Sequence, residues 1–175
     1  MASLRGNNRI ATLTFRSPSG SFAVGHSADG SWSFERVGFQ PTTFTIRAEG
    51  GLGELALFES HAWNAGGTLR LTGGRSLIVA TSHWPSQIEF QCADQHPLFR
   101  CRMQGARHPI AELQVLPALE GMREMPWLLL FAGYLAVMMH EDAKAGVTTA
   151  AGHPSALPAA RRQRWWSRIV PTHMS

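Results

Sequence analysis

Lysine is nearly absent from this chain: Lys144 is the only one among 175 residues. Cysteine is scarce too, with Cys92 and Cys101 alone, which excludes a disulfide-stapled scaffold and leaves too few thiols for a cysteine metal site. Both fall in alternating segments, IEFQCA and LFRCRM, in step with Ile88, Phe90 and Phe99. They are therefore expected to be reduced, buried and to pack as small hydrophobes. MASLRGNNRIATLTFR holds no apolar run of the length an export signal needs, so a cytoplasmic chain is expected.

Acid is missing from one end. Residues 1–142 carry 11 Arg and all 12 Asp and Glu, 11 − 12 = −1, whereas residues 143–175 carry Lys144, Arg161, Arg162, Arg164 and Arg168 with no acid, +5. The body is nearly neutral and the basicity sits in the tail, which argues against a basic nucleic-acid-binding body. An electrostatic partner belongs at the tail.

What is abundant is alternation. From Ile10 to Leu116 apolar residues recur every second position, and turn residues break the pattern at short intervals. ATLTFR sets Leu13 and Phe15 on one face, SFAVGH offers Phe22 and Val24, SWSFERVGF offers Trp32 and Phe34, and TTFTIRA offers Phe44, Ile46 and Ala48. ELALFES, GTLRLTG, RSLIVATS, QIEFQCA, PLFRCRM and IAELQVL continue the series, while Asp29-Gly30 marks a hairpin. About ten short strands, each with one apolar face, predict an all-β barrel or sandwich.

The longest apolar run is MPWLLLFAGYLAVMM, 15 residues from Met125 to Met139. It is apolar all round, so as a helix it is enclosed either by lipid or by protein. Its length of ~22 Å falls short of a bilayer that wants ~20 residues, and matches the ~20 Å height of six-residue strands. Pro126 suits a first helical turn, and Glu120 and Glu124 lie where the helix dipole favours acids. The expected core helix covers residues 125–140, with Trp127, Leu128, Leu130, Phe131, Tyr134, Leu135 and Met138 turned into the protein.

Strands followed by one uniformly apolar helix resemble the tubby C-terminal-like superfamily, which includes LURP-one-related proteins and phospholipid scramblases. The resemblance rests on SFERVGFQPTTFTIRAEGGLGELALFE, GGTLRLTGGRSLIVATSHW, IEFQCADQHPLFRCRM and then the helix, covering Asn8 to Ala143. These pieces look like small bacterial members. The resemblance implies an antiparallel closed β-barrel of about 10–12 strands threaded by its own helix, and a link to phospholipid. Tubby domains hold phosphoinositides with basic side chains that include lysine, which this body lacks. Scramblases carry an acidic calcium segment, where LPALEGMREMP supplies only Glu120 and Glu124. No functional residue of the family transfers to a numbered position.

Catalytic signatures are missing as well. GHSADG, Gly25 to Gly30, has Asp29 where a nucleophile elbow needs glycine, and it joins two strands. His26, His61, His83, His96, His108, His140, His153 and His173 include no pair at zinc-binding spacing, and no cofactor is expected. Trp63 and Trp84, beside His61 and His83, are expected to plug the ends of the barrel.

After AKAGVTTAAGHPSALPAA, a linker composition, comes RRQRWWSRIV. On a helix Trp165, Trp166, Ile169 and Val170 share one side and Arg161, Arg164 and Arg168 another, the pattern of a short interfacial anchor. Arg161, Arg162, Arg164, Trp165, Trp166 and Arg168 are thus the candidate contacts to anionic phospholipid. The organisation expected is a flexible N-terminus over 1–7, a β-barrel with its helix over 8–142, and a linker with basic tail over 143–175. The function expected is a non-enzymatic binding or scaffolding module, cytoplasmic or peripheral to a membrane. The competing expectation is a C-terminally anchored membrane protein that spans with residues 125–140.

Overall fold

Each alternating stretch becomes a strand in the computed structural model, which describes residues 2–6, 9–17, 20–38, 42–51, 53–61, 66–83, 86–104, 110–150 and 169–171. The strands are β1 (Ala2–Gly6), β2 (Arg9–Phe15), β3 (Phe22–Ser27), β4 (Gly30–Val37), β5 (Thr43–Ala48) and β6 (Glu54–Ser60). They continue as β7 (Gly67–Leu71), β8 (Ser76–His83), β9 (Ser86–Cys92), β10 (Pro97–Gln104) and β11 (Ile110–Val115). Helix α1 (Met125–Ala150) and the three-residue β12 (Ile169–Pro171) follow. The ten strands β2 to β11 form an antiparallel meander in which each pairs with its neighbour in sequence. Short turns permit this: the β3–β4 hairpin closes on Ser27 opposite Gly30, one residue earlier than the Asp29-Gly30 signal implies.

Two segments beyond the expected strands join the sheet. Residues 1–7, read as a flexible lead-in, contribute β1, which pairs antiparallel with β2 from Ala2↔Leu13 to Gly6↔Arg9. At the other edge β12 lies parallel to β11, from Ala111↔Ile169 to Leu113↔Pro171, and meets β1 at Leu4↔Ile169.

The sheet curls about α1 as the pattern requires, since strands with one apolar face must cover it with something. Trp127, Leu128, Leu130, Phe131, Tyr134, Leu135 and Met138 are all 5 % exposed or less. Phe131 lies 5.8 to 6.2 Å from the rings of Phe34, Phe44 and Phe58, and Tyr134 lies 5.7 to 5.9 Å from those of Phe15, Phe34 and Phe44. Each such side chain contributes about 1.5–3 kcal/mol by leaving water. The tyrosine hydroxyl donates to the Ser21 carbonyl at 2.9 Å, so its polar end is satisfied inside the core. No helix among the described residues is long and apolar enough to cross a membrane. Residues 125–140, the span of the competing reading, are instead the centre of the fold. The helix also runs on to Ala150, through the first residues of the expected linker.

In β3 the inward face is the opposite of the expected one. Ala23 sits opposite Phe34 and Gly25 opposite Trp32, and residues paired across a ladder share a face. Ala23 and Gly25 therefore point at the helix, while Phe22 and Val24 take the other side, where Val24 is nonetheless buried. Space explains it: a Cβ on Gly25 would stand 3.0 Å from Leu130 Cδ1 and 3.0 Å from Phe34 Cε2. A larger side chain there needs Leu130 or Phe34 to move.

Candidate functional site where the helix leaves the sheet

Along β4 the inward positions read Trp32, Phe34, Arg36, so an arginine takes the place the alternation reserves for an apolar side chain. The same happens on β6 and β8, where Ala56 and Phe58 are followed by Ser60, and Leu77 and Val79 by Thr81. These substitutions all fall at one end of the sheet. On α1 the face that carries Phe131, Leu135 and Met138 ends in Asp142, four residues further on. The interior changes from apolar to polar in its last layer, where the helix emerges.

Arg36 and Asp142 meet there. The guanidinium Nη1 donates to Asp142 Oδ2 at 3.1 Å and to Oδ1 at 3.3 Å, tying the sheet wall to the end of the buried helix. The side chains are only 13 % and 22 % exposed. Arg36 also lies over the Phe44 ring, 5.9 Å from its centroid. Beside the pair is a recess of about 50 Å³, floored by Phe44, Phe58, Val79, Leu135 and Met138 and rimmed by Met139, Thr42, Ser60 and Thr81.

Burial pushes the Asp142 carboxyl above its ordinary value, and the charge and hydrogen bonds of Arg36 only partly reverse this. Between 3.8 and the raised folded value, the folded protein holds a proton that the unfolded chain has released. Stability from this group therefore falls as pH rises through that window. Glu89 runs the other way: burial raises it, but hydrogen bonds from Arg100 and Gln91 and the charge of Arg100 bring it below its ordinary value. A comparison of wild type with Asp142→Asn isolates the Asp142 contribution. The stability of D142N relative to wild type should increase with pH from 3.8 through the window and then stay level, as read from urea midpoints across pH. A relative stability that decreases over that window would contradict the raised pKa.

Of the candidate residues singled out in the sequence, Leu135 and Met138 of the helix line this site. Arg161, Arg162, Arg164, Trp165, Trp166 and Arg168 lie outside the described residues, as do Trp63 and Trp84. Cys101 is fully buried and its thiol is pushed up to about 12 by desolvation, so it stays protonated. Cys92, expected to be buried, is half-buried because it ends β9 at the edge of the core. His26 shares a hydrogen bond with Ser31 Oγ at 2.7 Å across the β3–β4 hairpin, and His96 lies 2.9 Å from Asp94 in an exposed turn. GHSADG is that hairpin, with no helix after it. Glu124 is held by Arg75. Among the described residues no group of three His, Cys, Asp or Glu is placed to hold a metal ion.

Arg36 escaped the sequence reading, although its parity with Trp32 and Phe34 is a usable signal: an ionisable residue on the inward row of a strand. Asp142 carries the matching signal on the helix. Comparison with protein families, curated proteins and solved structures finds no match to this chain. Nothing positive in the comparisons or in the described residues points to catalysis.

Proposed function

We propose that this chain is a non-enzymatic β-barrel binding or scaffolding module of the tubby-like kind, held at a cytoplasmic membrane surface by its basic tail. In this reading β12 closes the sheet into a barrel by bridging β1 and β11. The observation that carries the reading is the position of the apolar helix. Leu128, Leu130, Phe131 and Tyr134 are at 0 % exposure, so the longest hydrophobic run is consumed in folding and contact with lipid falls to another segment. The excess of cations and the Trp165-Trp166 pair lie together in the tail. An anionic phospholipid surface suits both features, attracting arginines at about 1 kcal/mol each and taking indoles at headgroup depth.

Substitution tests this better than truncation, because a deletion from Arg161 onward also removes β12. Wild type should sediment with vesicles of phosphatidylserine and phosphatidylcholine much more than with phosphatidylcholine alone, and salt should weaken the binding. Changing Arg161, Arg162, Arg164 and Arg168 to Gln should lower partitioning on the order of a hundredfold or more. Equal partitioning of the two proteins would remove the tail as the anchor. Tight DNA binding at the same salt, with no vesicle binding, would move the partner to nucleic acid.

A further inference from the structure

We propose that the recess at the helix exit is a binding site for a short-chain monocarboxylic acid, whose carboxylate takes the place of Asp142 on the Arg36 guanidinium while its alkyl end enters between Phe44, Phe58 and Leu135. The site is separate from the tail and stands whether or not the tail docks on a membrane.

Three observations set the ligand's chemistry. The floor is apolar and deformable: phenyl rings, Val79, Leu135 and the unbranched thioether of Met138, a side chain that adapts its shape to what it meets. The rim carries one guanidinium at the inward position of β4, whose Nη1 reaches both oxygens of a carboxylate. The volume limits the size. A cavity of about 150 Å³ accepts benzene, so about 50 Å³ takes the last few carbons of a short chain and excludes a long acyl chain.

The Arg36–Asp142 pair is an internal rehearsal of the complex. It shows that this guanidinium is positioned to hold a carboxylate in two hydrogen bonds at 3.1 and 3.3 Å. The internal carboxylate is a replaceable occupant, because burial disfavours its charge and its backbone lies just beyond the packed part of the helix. A ligand carboxylate supplies the same two acceptors and adds apolar contacts that Asp142 does not make. Asp142 is thus a competitor for Arg36, and removing its charge should tighten binding, the reverse of what loss of a direct ligand contact does.

The test uses the full chain with 13C-labelled methionine methyls and hexanoate as the probe, with hexan-1-ol as the uncharged control. Met138 and Met139 face the recess, whereas Met103, Met122 and Met125 do not line it and report on folding. Hexanoate should shift the Met138 and Met139 methyls saturably and hexan-1-ol much less. Asp142→Asn should lower the Kd for hexanoate by up to about tenfold, and Arg36→Gln should raise it by about tenfold or more, as loss of a charge-assisted hydrogen bond predicts. Should Arg36→Gln fail to fold, Asp142→Asn decides the matter alone. Equal shifts with acid and alcohol, unchanged or weaker binding by Asp142→Asn, or no shift at Met138 and Met139 would each overturn the proposal.

Discussion

Leu130→Asp should abolish cooperative folding of the whole domain. Leu130 is at 0 % exposure on the part of α1 that faces β3, with its methyl carbons against the position of Gly25. An aspartate there places a carboxylate against the Phe34 ring in the apolar part of the core. Leaving such a charge uncompensated costs several kcal/mol beyond the lost packing. Domains of this size hold about 5–15 kcal/mol in total, so the substitution takes most or all of it. Far-ultraviolet circular dichroism should show loss of the sheet signal or a broad transition. Leu130→Ala, which costs about 2–5 kcal/mol, should melt cooperatively at a lower temperature. If L130D melted as sharply as wild type, within a few degrees of it, the helix would lie outside the sheet.

Most of this architecture was legible because period and face carry so much information in an antiparallel meander. The ten strands from Arg9 to Val115 follow the alternation, and the all-round apolar character of Trp127 to Met139 announces an enclosed helix. The reading failed where size, rather than hydropathy, decides. In β3 it put Phe22 and Val24 on the face of the helix from the alternation, but Ala23 and Gly25 take that face, with no free space at Gly25, while Val24 is buried on the opposite face. It missed β1 because a five-residue edge strand draws its pairing from a partner, here residues 9–13, and little from its own composition. It stopped the helix near residue 140 because polarity rises at His140, although a hydrogen-bonded helix continues to Ala150. Of the candidate site, Arg36 was visible only to a search for polar residues on apolar rows. Asp142 became meaningful only once the fold placed it against Arg36, 106 positions away in sequence.

The inversion in β3 leads to the second large effect. Gly25→Val should destabilise the domain by about 1–3 kcal/mol, as overpacking does, despite the better strand propensity of valine. The added Cβ alone would stand 3.0 Å from Leu130 Cδ1 and from Phe34 Cε2, so both neighbours must give way, and the two γ-methyls need more space still. The clash is with side chains, so it can be relieved from the other side. In a Leu130→Ala background the valine should fill part of the vacated volume. The double variant should then be more stable than the two single costs added together, by a coupling of about 1 kcal/mol or more. Urea unfolding of the four proteins, with similar m-values throughout, measures the coupling directly. Strict additivity would mean that position 25 and Leu130 do not touch, and would return Phe22 and Val24 to the inner face of the sheet.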